Sequence, residues 1–251
     1  MPQQIFFNNM NDKSKFLILD YFSGGVPSGE YFRLMVDGLV KLLNEHAEEL
    51  GNPLPTLSYI GLLAYFEAFC KDHFASLINI YPELISNLKK GNQDISIDAN
   101  KFFQHSIESG RRIGFLLSEK YDFGTAQKIN ALYKALINVT PFSKDETKEY
   151  SKILTDRNLI IHHGGIFTSW YLEQRPTLDL PEQHRVFMDS IEVNSNRVKS
   201  DSKFLLAIAR KTVRTTHEAL SRYLDKGIVS PAGKKMKSIL FMLRWWGNEG
   251  A

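Results

Sequence analysis

Between positions 157 and 162 the chain reads Arg157-Asn158-Leu159-Ile160-Ile161-His162. Arginine presents a planar fork of donors suited to an anion, and histidine exchanges protons near neutral pH. Residues 144–163 carry helical periodicity, with Tyr150, Ile153, Leu154, Arg157 and Ile161 as the expected core stripe. A charge in such a stripe is costly unless paired, so Arg157 calls for a buried or interfacial partner. At ~100° per residue, Asn158 and His162 lie ~100° and ~140° round the helix from Arg157. Asn158 and His162 are also i and i+4 neighbours, so the helix gathers Arg, Asn and His on one arc. Gly164-Gly165 stops the helix beside them and leaves room for a ligand. The residues alone equally admit a structural arginine with a surface histidine.

Glu67 falls among Ile60, Leu63, Cys70 and Phe74, inside the apolar arc of an upstream helix. Arg157 is its expected partner, an arrangement that would orient the guanidinium; a helix terminus or water is the alternative. His73 shares that arc and reads as a satisfied core histidine. His163 points ~100° away from His162 and is expected to cap the helix end or face solvent. Adjacent histidines diverge on a helix, and neither His-x-x-x-His nor His-Glu-x-x-His occurs, so no metal site is expected. His105 and Glu108 stand one turn apart, which alone is weak. The glycine-rich run 23–29 lacks the Gly-Lys-Ser/Thr ending of a phosphate loop and reads as a linker. The single cysteine, Cys70, excludes an internal disulfide framework and sits in an aromatic run, where a small buried thiol is expected.

The elements that must position these residues are helical. Tyr31, Met35, Leu39, Leu42, Leu43 and His46 recur at helical steps, and Gly51, Pro53 and Pro55 end that segment. A second helix is predicted from about Thr56 to Ile80. A short one begins at Pro82 and stops at Lys89-Lys90-Gly91. Asp98 caps a helix to about Lys120, with Gly110 and Gly114 weakening it, and Thr125 caps another through Ile137. Ser143-Lys144-Asp145-Glu146 is a capping box opening the 144–163 helix. Ile166–Leu172 and Val186–Val193 are β-like and predict a small hairpin or irregular cover. A long amphipathic helix is predicted from about Asp201 to Leu224, and a last one from about Pro231 to Trp246. The expected fold is an all-α helical bundle with a minor excursion near 166–193. Its parts are an N-terminal helical extension (1–55), the main domain (56–225) and a C-terminal basic and apolar helix (226–251) on the same unit.

The chain has 251 residues, 43% hydrophobic and 24% charged, which excludes disordered and fibrous classes. Its net charge of +3 hides an asymmetry: residues 183–251 carry 13 Lys/Arg against 6 Asp/Glu, and the remainder 18 against 22. Lys203, Arg210 and Arg214 share a face of the 201–224 helix as a stripe able to hold an RNA backbone, with Lys211 a further RNA-binding candidate and a solvated face the alternative. The Lys234–Trp246 segment mixes lysines with Ile239, Leu240, Phe241, Trp245 and Trp246, as helices docking on their own core or a partner do, an interfacial membrane helix being the alternative. No secretory signal is visible, and no run approaches the ~20 apolar residues of a membrane span. A soluble, cytoplasmic protein is therefore expected.

The motif Arg157-Asn158-x-x-x-His162 resembles the signature of HEPN-domain proteins, an Arg followed after four to six residues by a His, with a polar residue often directly after the Arg. Asp156 before it and Gly-Gly-Ile after it strengthen the likeness. Gly61-Leu-Leu-Ala-Tyr-Phe-Glu67-Ala-Phe is similar to the acidic second helix of many such domains, and the resemblance covers about 56–225. It implies a metal-independent endoribonuclease without cofactor, acting as a homodimer whose two motifs meet in one composite site. Attack by an RNA 2′-hydroxyl on the adjacent phosphate would leave a 2′,3′-cyclic phosphate and a 5′-hydroxyl. Arg157 would stabilise the phosphate charge, His162 would transfer protons and Asn158 would position either, with Glu67 and His163 in support. It further implies a role in phage defence or toxin-like growth arrest, with an antitoxin or regulatory partner. Competing readings are a non-catalytic HEPN-like scaffold binding RNA, a nucleotide or a protein, and an unrelated helical interaction protein.

Overall fold

In the computed structural model, residues 18–46, 52–98, 100, 102, 112–175 and 186–225 are described. Two short 3-10 turns (Ile18–Tyr21, Ser23–Gly25) precede α1 (Ser28–His46), α2 (Leu54–Ile80), a 3-10 turn (Pro82–Leu84), α3 (Ile85–Lys90), α4 (Ile113–Ser118), α5 (Ala126–Ile137), α6 (Lys144–His163), α7 (Ser169–Gln174) and α8 (Ser195–Asp225). The fold is an all-α bundle, as expected. Among the described residues, no helix is long and apolar enough to cross a membrane.

α2 is the axis of the bundle. Its last seven residues, Phe74 to Ile80, are buried on every side, as a helix segment enclosed all round must be. α1, α4, α6 and α8 all pack against it. α1, part of the expected N-terminal extension, adds Phe32, Val36 and Leu43 to the same core, and Phe32 lies against Phe66 and Phe69 with ring centroids 5.6 Å apart. His73 bridges three helices, with Nδ1 3.3 Å from Ser28 Oγ and Nε2 2.8 Å from Thr216 Oγ1. It is a satisfied core histidine, and burial holds its pKa down at about 3. Gly114 lets α4 lie directly on α2: a Cβ there would stand 2.1 Å from the Ala75 carbonyl oxygen, and the Gly114 N–H donates to Asn79 Oδ1.

The end signals of α5 and α6 form as the sequence predicts. Thr125 accepts from the Lys128 N–H. Ser143 and Glu146 make the reciprocal capping box, and Gly164 closes α6 in the left-handed conformation. Three readings differ. The helix expected from Asp98 to about Lys120 is interrupted at Arg112, whose backbone leaves the helical region, and α4 runs only Ile113–Ser118. α8 begins at Ser195 rather than near 201, because Asn194 Oδ1 accepts the Arg197 N–H. The β-like run 166–172 pairs only at its start: Ile166 bridges Ser190, Phe167 N–H donates to the Asp189 carbonyl, and Ile191 N–H donates to the Gly165 carbonyl. Thr168 then caps α7 by accepting from the Tyr171 N–H, so Ser169–Gln174 is helical. Gly51, His105, Glu108, Gly110 and the expected 231–246 helix with its lysines lie outside the described residues.

Candidate functional site

α6 is held against α2 by aromatic side chains. Tyr150 lies 5.4 Å from the Phe66 ring and 5.1 Å from Phe142, and Tyr59 donates to the Ile153 carbonyl. From this anchor the helix buries Tyr150, Ile153, Asp156, Leu159 and Ile160. The charge inside its core stripe is therefore Asp156 rather than Arg157, and Ile161 is 41% exposed rather than core. Asp156 is fully buried and fully paired. Tyr171 donates to Oδ1 at 2.7 Å, Arg175 Nη1 lies 3.1 Å away, and Arg197 closes the cluster from α8. Arg197 also stacks over the Tyr59 ring at 5.3 Å. Asp201 stands 3.8 Å from Arg197, with a buried Oδ2 that has no hydrogen-bond partner. Burial, opposed by Arg197 and reinforced by Glu149 and Asp156, pushes its carboxyl up to about 6. Nothing in the local sequence marks this cluster, since its arginines lie 19 and 41 positions beyond Asp156.

Arg157 takes the neighbouring face. It is half-buried and donates through Nη1 to Asn158 Oδ1 at 3.2 Å. The expected Glu67–Arg157 ion pair does not form: no carboxylate lies within 4 Å of the guanidinium among the described residues. Both side chains instead line one cavity of about 340 Å³ between α2 and α6, together with Leu63, Tyr150, Leu154 and Asn158. Tyr150 registers both charges. Its phenol is raised well above its ordinary value by burial, with Cys70 and Glu67 adding to the effect and Arg157 opposing it. The cavity also reaches Asp122, which is occupied by Lys128 and by the Gly124 N–H at 2.7 Å.

His162 and His163 are exposed at the end of α6 and do not line this cavity. One chain thus brings together Glu67, Arg157 and Asn158 and leaves His162 apart. Ile161, beside it in the chain, and Ile166 and Trp170 are also exposed, the last at 58%. Of the basic stripe on α8, Lys211 pairs with Glu146 and Arg214 with Glu218 at 3.1 Å, while Lys203 and Arg210 are exposed. Arg197, counted in the basic C-terminal quarter, is committed to Asp156. Cys70 is buried, as expected, and burial pushes its thiol well up. Among the described residues, no three His, Cys, Asp or Glu side chains gather as a metal-ligand set. No family model matches the chain, and neither a curated protein nor a solved structure matches it.

Proposed function

We propose that the protein is a metal-independent endoribonuclease of the HEPN type, acting through Arg157, Asn158 and His162 at a site completed by a second copy of the chain. The observation that carries this reading is the division of charge on α6. Asp156 is saturated by two arginines, whereas Arg157 faces a cavity with no carboxylate paired to it among the described residues. A guanidinium with free donors over a cavity suits a phosphate, held bidentately and stabilised as its charge grows. The reaction is 2′-hydroxyl attack on the adjacent phosphorus: the phosphorus–O5′ bond breaks, and a 2′,3′-cyclic phosphate and a 5′-hydroxyl leave. One histidine takes the 2′-hydroxyl proton and another returns a proton to the O5′ leaving oxygen.

His162 lies outside the Arg157 cavity of its own chain, which is why the reading requires a partner's histidine. The exposed Ile161 and Ile166, within four residues of His162 in the chain, and the exposed Trp170 of α7 support a homodimer, since exposed apolar side chains are what a second copy would cover. The defence or toxin-like role, a regulatory partner and a cytoplasmic setting belong to the same proposal and rest on the family resemblance. The test is cleavage of mixed RNA in EDTA by wild type, Arg157→Ala and His162→Ala. Cleavage that survives the chelator, yields cyclic-phosphate ends and is lost in both variants is expected. RNA binding without any cleavage would overturn the enzyme and leave a non-catalytic scaffold, the reading that His162's distance from the cavity favours.

A further inference from the structure

We propose that the cavity between α2 and α6 is a guanine pocket, in which Glu67 and Asn158 read the base and Arg157 holds the attached phosphate. The inference deepens the ribonuclease reading and rests on it for the role of Arg157 as a phosphate ligand. The starting point is what the cavity walls leave unsatisfied. Glu67 has no hydrogen bond or ion pair to another described residue, although it is half-buried and lines the cavity. An ionised carboxylate only accepts, so its complement must donate. Asn158 spends its Oδ1 on the Arg157 guanidinium, which leaves its Nδ2 as a donor. Asp122, the other acid of the cavity, is already held by Lys128 and by the Gly124 N–H. The ligand sought therefore carries two neighbouring donors for Glu67, an acceptor for Asn158 and an anion for Arg157.

Among the four RNA bases, guanine alone has this edge. Its N1–H and N2–H₂ are adjacent donors that meet both carboxylate oxygens, and its O6 is an acceptor beside them. Adenine and cytosine each set a ring-nitrogen lone pair next to their amino group, which would face the carboxylate. Uracil has one N–H between two carbonyls. Leu63 and Leu154 supply apolar wall for the flat ring. The volume, about 340 Å³, is at the small end of ligand pockets and suits one nucleotide. A bidentate base contact of this kind discriminates by about tenfold or more.

The guanine can come from RNA or from a free guanine nucleotide, and the experiment separates the two. The full chain is titrated calorimetrically with the 3′-monophosphates of guanosine, adenosine, cytidine and uridine, and mixed RNA is incubated in parallel with its new ends mapped. Tighter binding of the guanosine nucleotide by about tenfold is expected, with the preference lost in Glu67→Gln and all four nucleotides weakened alike in Arg157→Ala. Cleavage on the 3′ side of guanosines assigns the pocket to the substrate. Guanine-selective binding without such cleavage assigns it to a free nucleotide and overturns the ribonuclease reading instead. Cleavage without base preference overturns the pocket and leaves the ribonuclease standing. Equal binding of the four nucleotides by wild type, or none at millimolar concentration, overturns the pocket whether or not the variants fold.

Discussion

Asp201→Asn should change how stability responds to acid. In the folded chain the Asp201 carboxyl titrates at about 6, against about 3.9 in an unfolded chain. Between pH 7 and pH 5 the fold therefore takes up a proton there that the unfolded chain does not, and acidification favours folding. His73 acts in the opposite sense. Its folded pKa is about 3, against about 6.5 unfolded, so over the same interval the unfolded chain gains the proton and the fold loses ground. Linkage gives about 1.9 kcal/mol lost at His73 and about 1.3 kcal/mol gained at Asp201 between pH 7 and pH 5. Solvent reaching the 16% exposed Asp201 side chain trims its gain to roughly 1 kcal/mol. From these two groups the wild type should lose about 1 kcal/mol on going to pH 5, and Asp201→Asn about 2 kcal/mol. Other titrating groups are common to both chains and cancel in the comparison. Urea unfolding at the two pH values, followed by circular dichroism, measures it. Parallel slopes for the two chains would refute the assignment of a raised carboxyl to Asp201.

Asp156→Ala leaves Arg175 and Arg197 facing each other without their shared anion; a loss of about 3–5 kcal/mol is expected, read as a lower urea midpoint. Gly114→Ala should cost about 1–3 kcal/mol in the same assay, because the added methyl meets a backbone carbonyl of α2 that cannot rotate away. When wild type and His162→Ala are mixed in equal amounts and allowed to exchange subunits, about a quarter of the dimers keep both histidines, so cleavage per dimer should fall to about a quarter of the wild-type value. A fall to only one half would place the whole reaction within one chain.

How far the sequence reaches is clearest along α6. Its ends were legible because capping is local: Ser143 and Glu146 lie within one turn, and Gly164 supplies its own backbone freedom. Its buried face was not. Two frames share Tyr150 and Ile153 and then part, one running through Arg157 and Ile161, the other through Asp156 and Ile160. Both place a charge in an apolar stripe, but the buried, paired charge is Asp156, and Arg157 has no carboxylate partner among the described residues. What decides between the frames is Arg175 and Arg197, whose approach depends on α7 and α8 folding back across α6. The start of α8 escaped notice for a related reason. Ser195, Asn196 and Ser200 are polar, and only the Asn194 cap and the buried Val198 reveal the helix there. Glu67 was found because a carboxylate in an apolar arc stands out locally, whereas its lack of an ion pair is a fact of the distance between two helices.

The two frames of α6 divide its neighbouring charges between a packed face and a cavity. Asp156 ties it to α7 and α8 through a cluster in which both carboxylate oxygens accept hydrogen bonds, so that face is fixed. A single residue further on, the backbone rotates ~100° and presents Arg157 to a cavity in which no carboxylate of the described residues pairs with it. Had Arg157 paired with Glu67 as the sequence led one to expect, both charges would be spent on each other, and an incoming anion would have to displace a carboxylate. Held apart across the cavity, each remains available for a ligand that carries both a donor edge and a negative charge. Fixing the carboxylate while leaving the guanidinium without a described carboxylate partner is the arrangement that the proposed phosphate contact calls for, since a charge developing in a reaction is stabilised by donors not already neutralised.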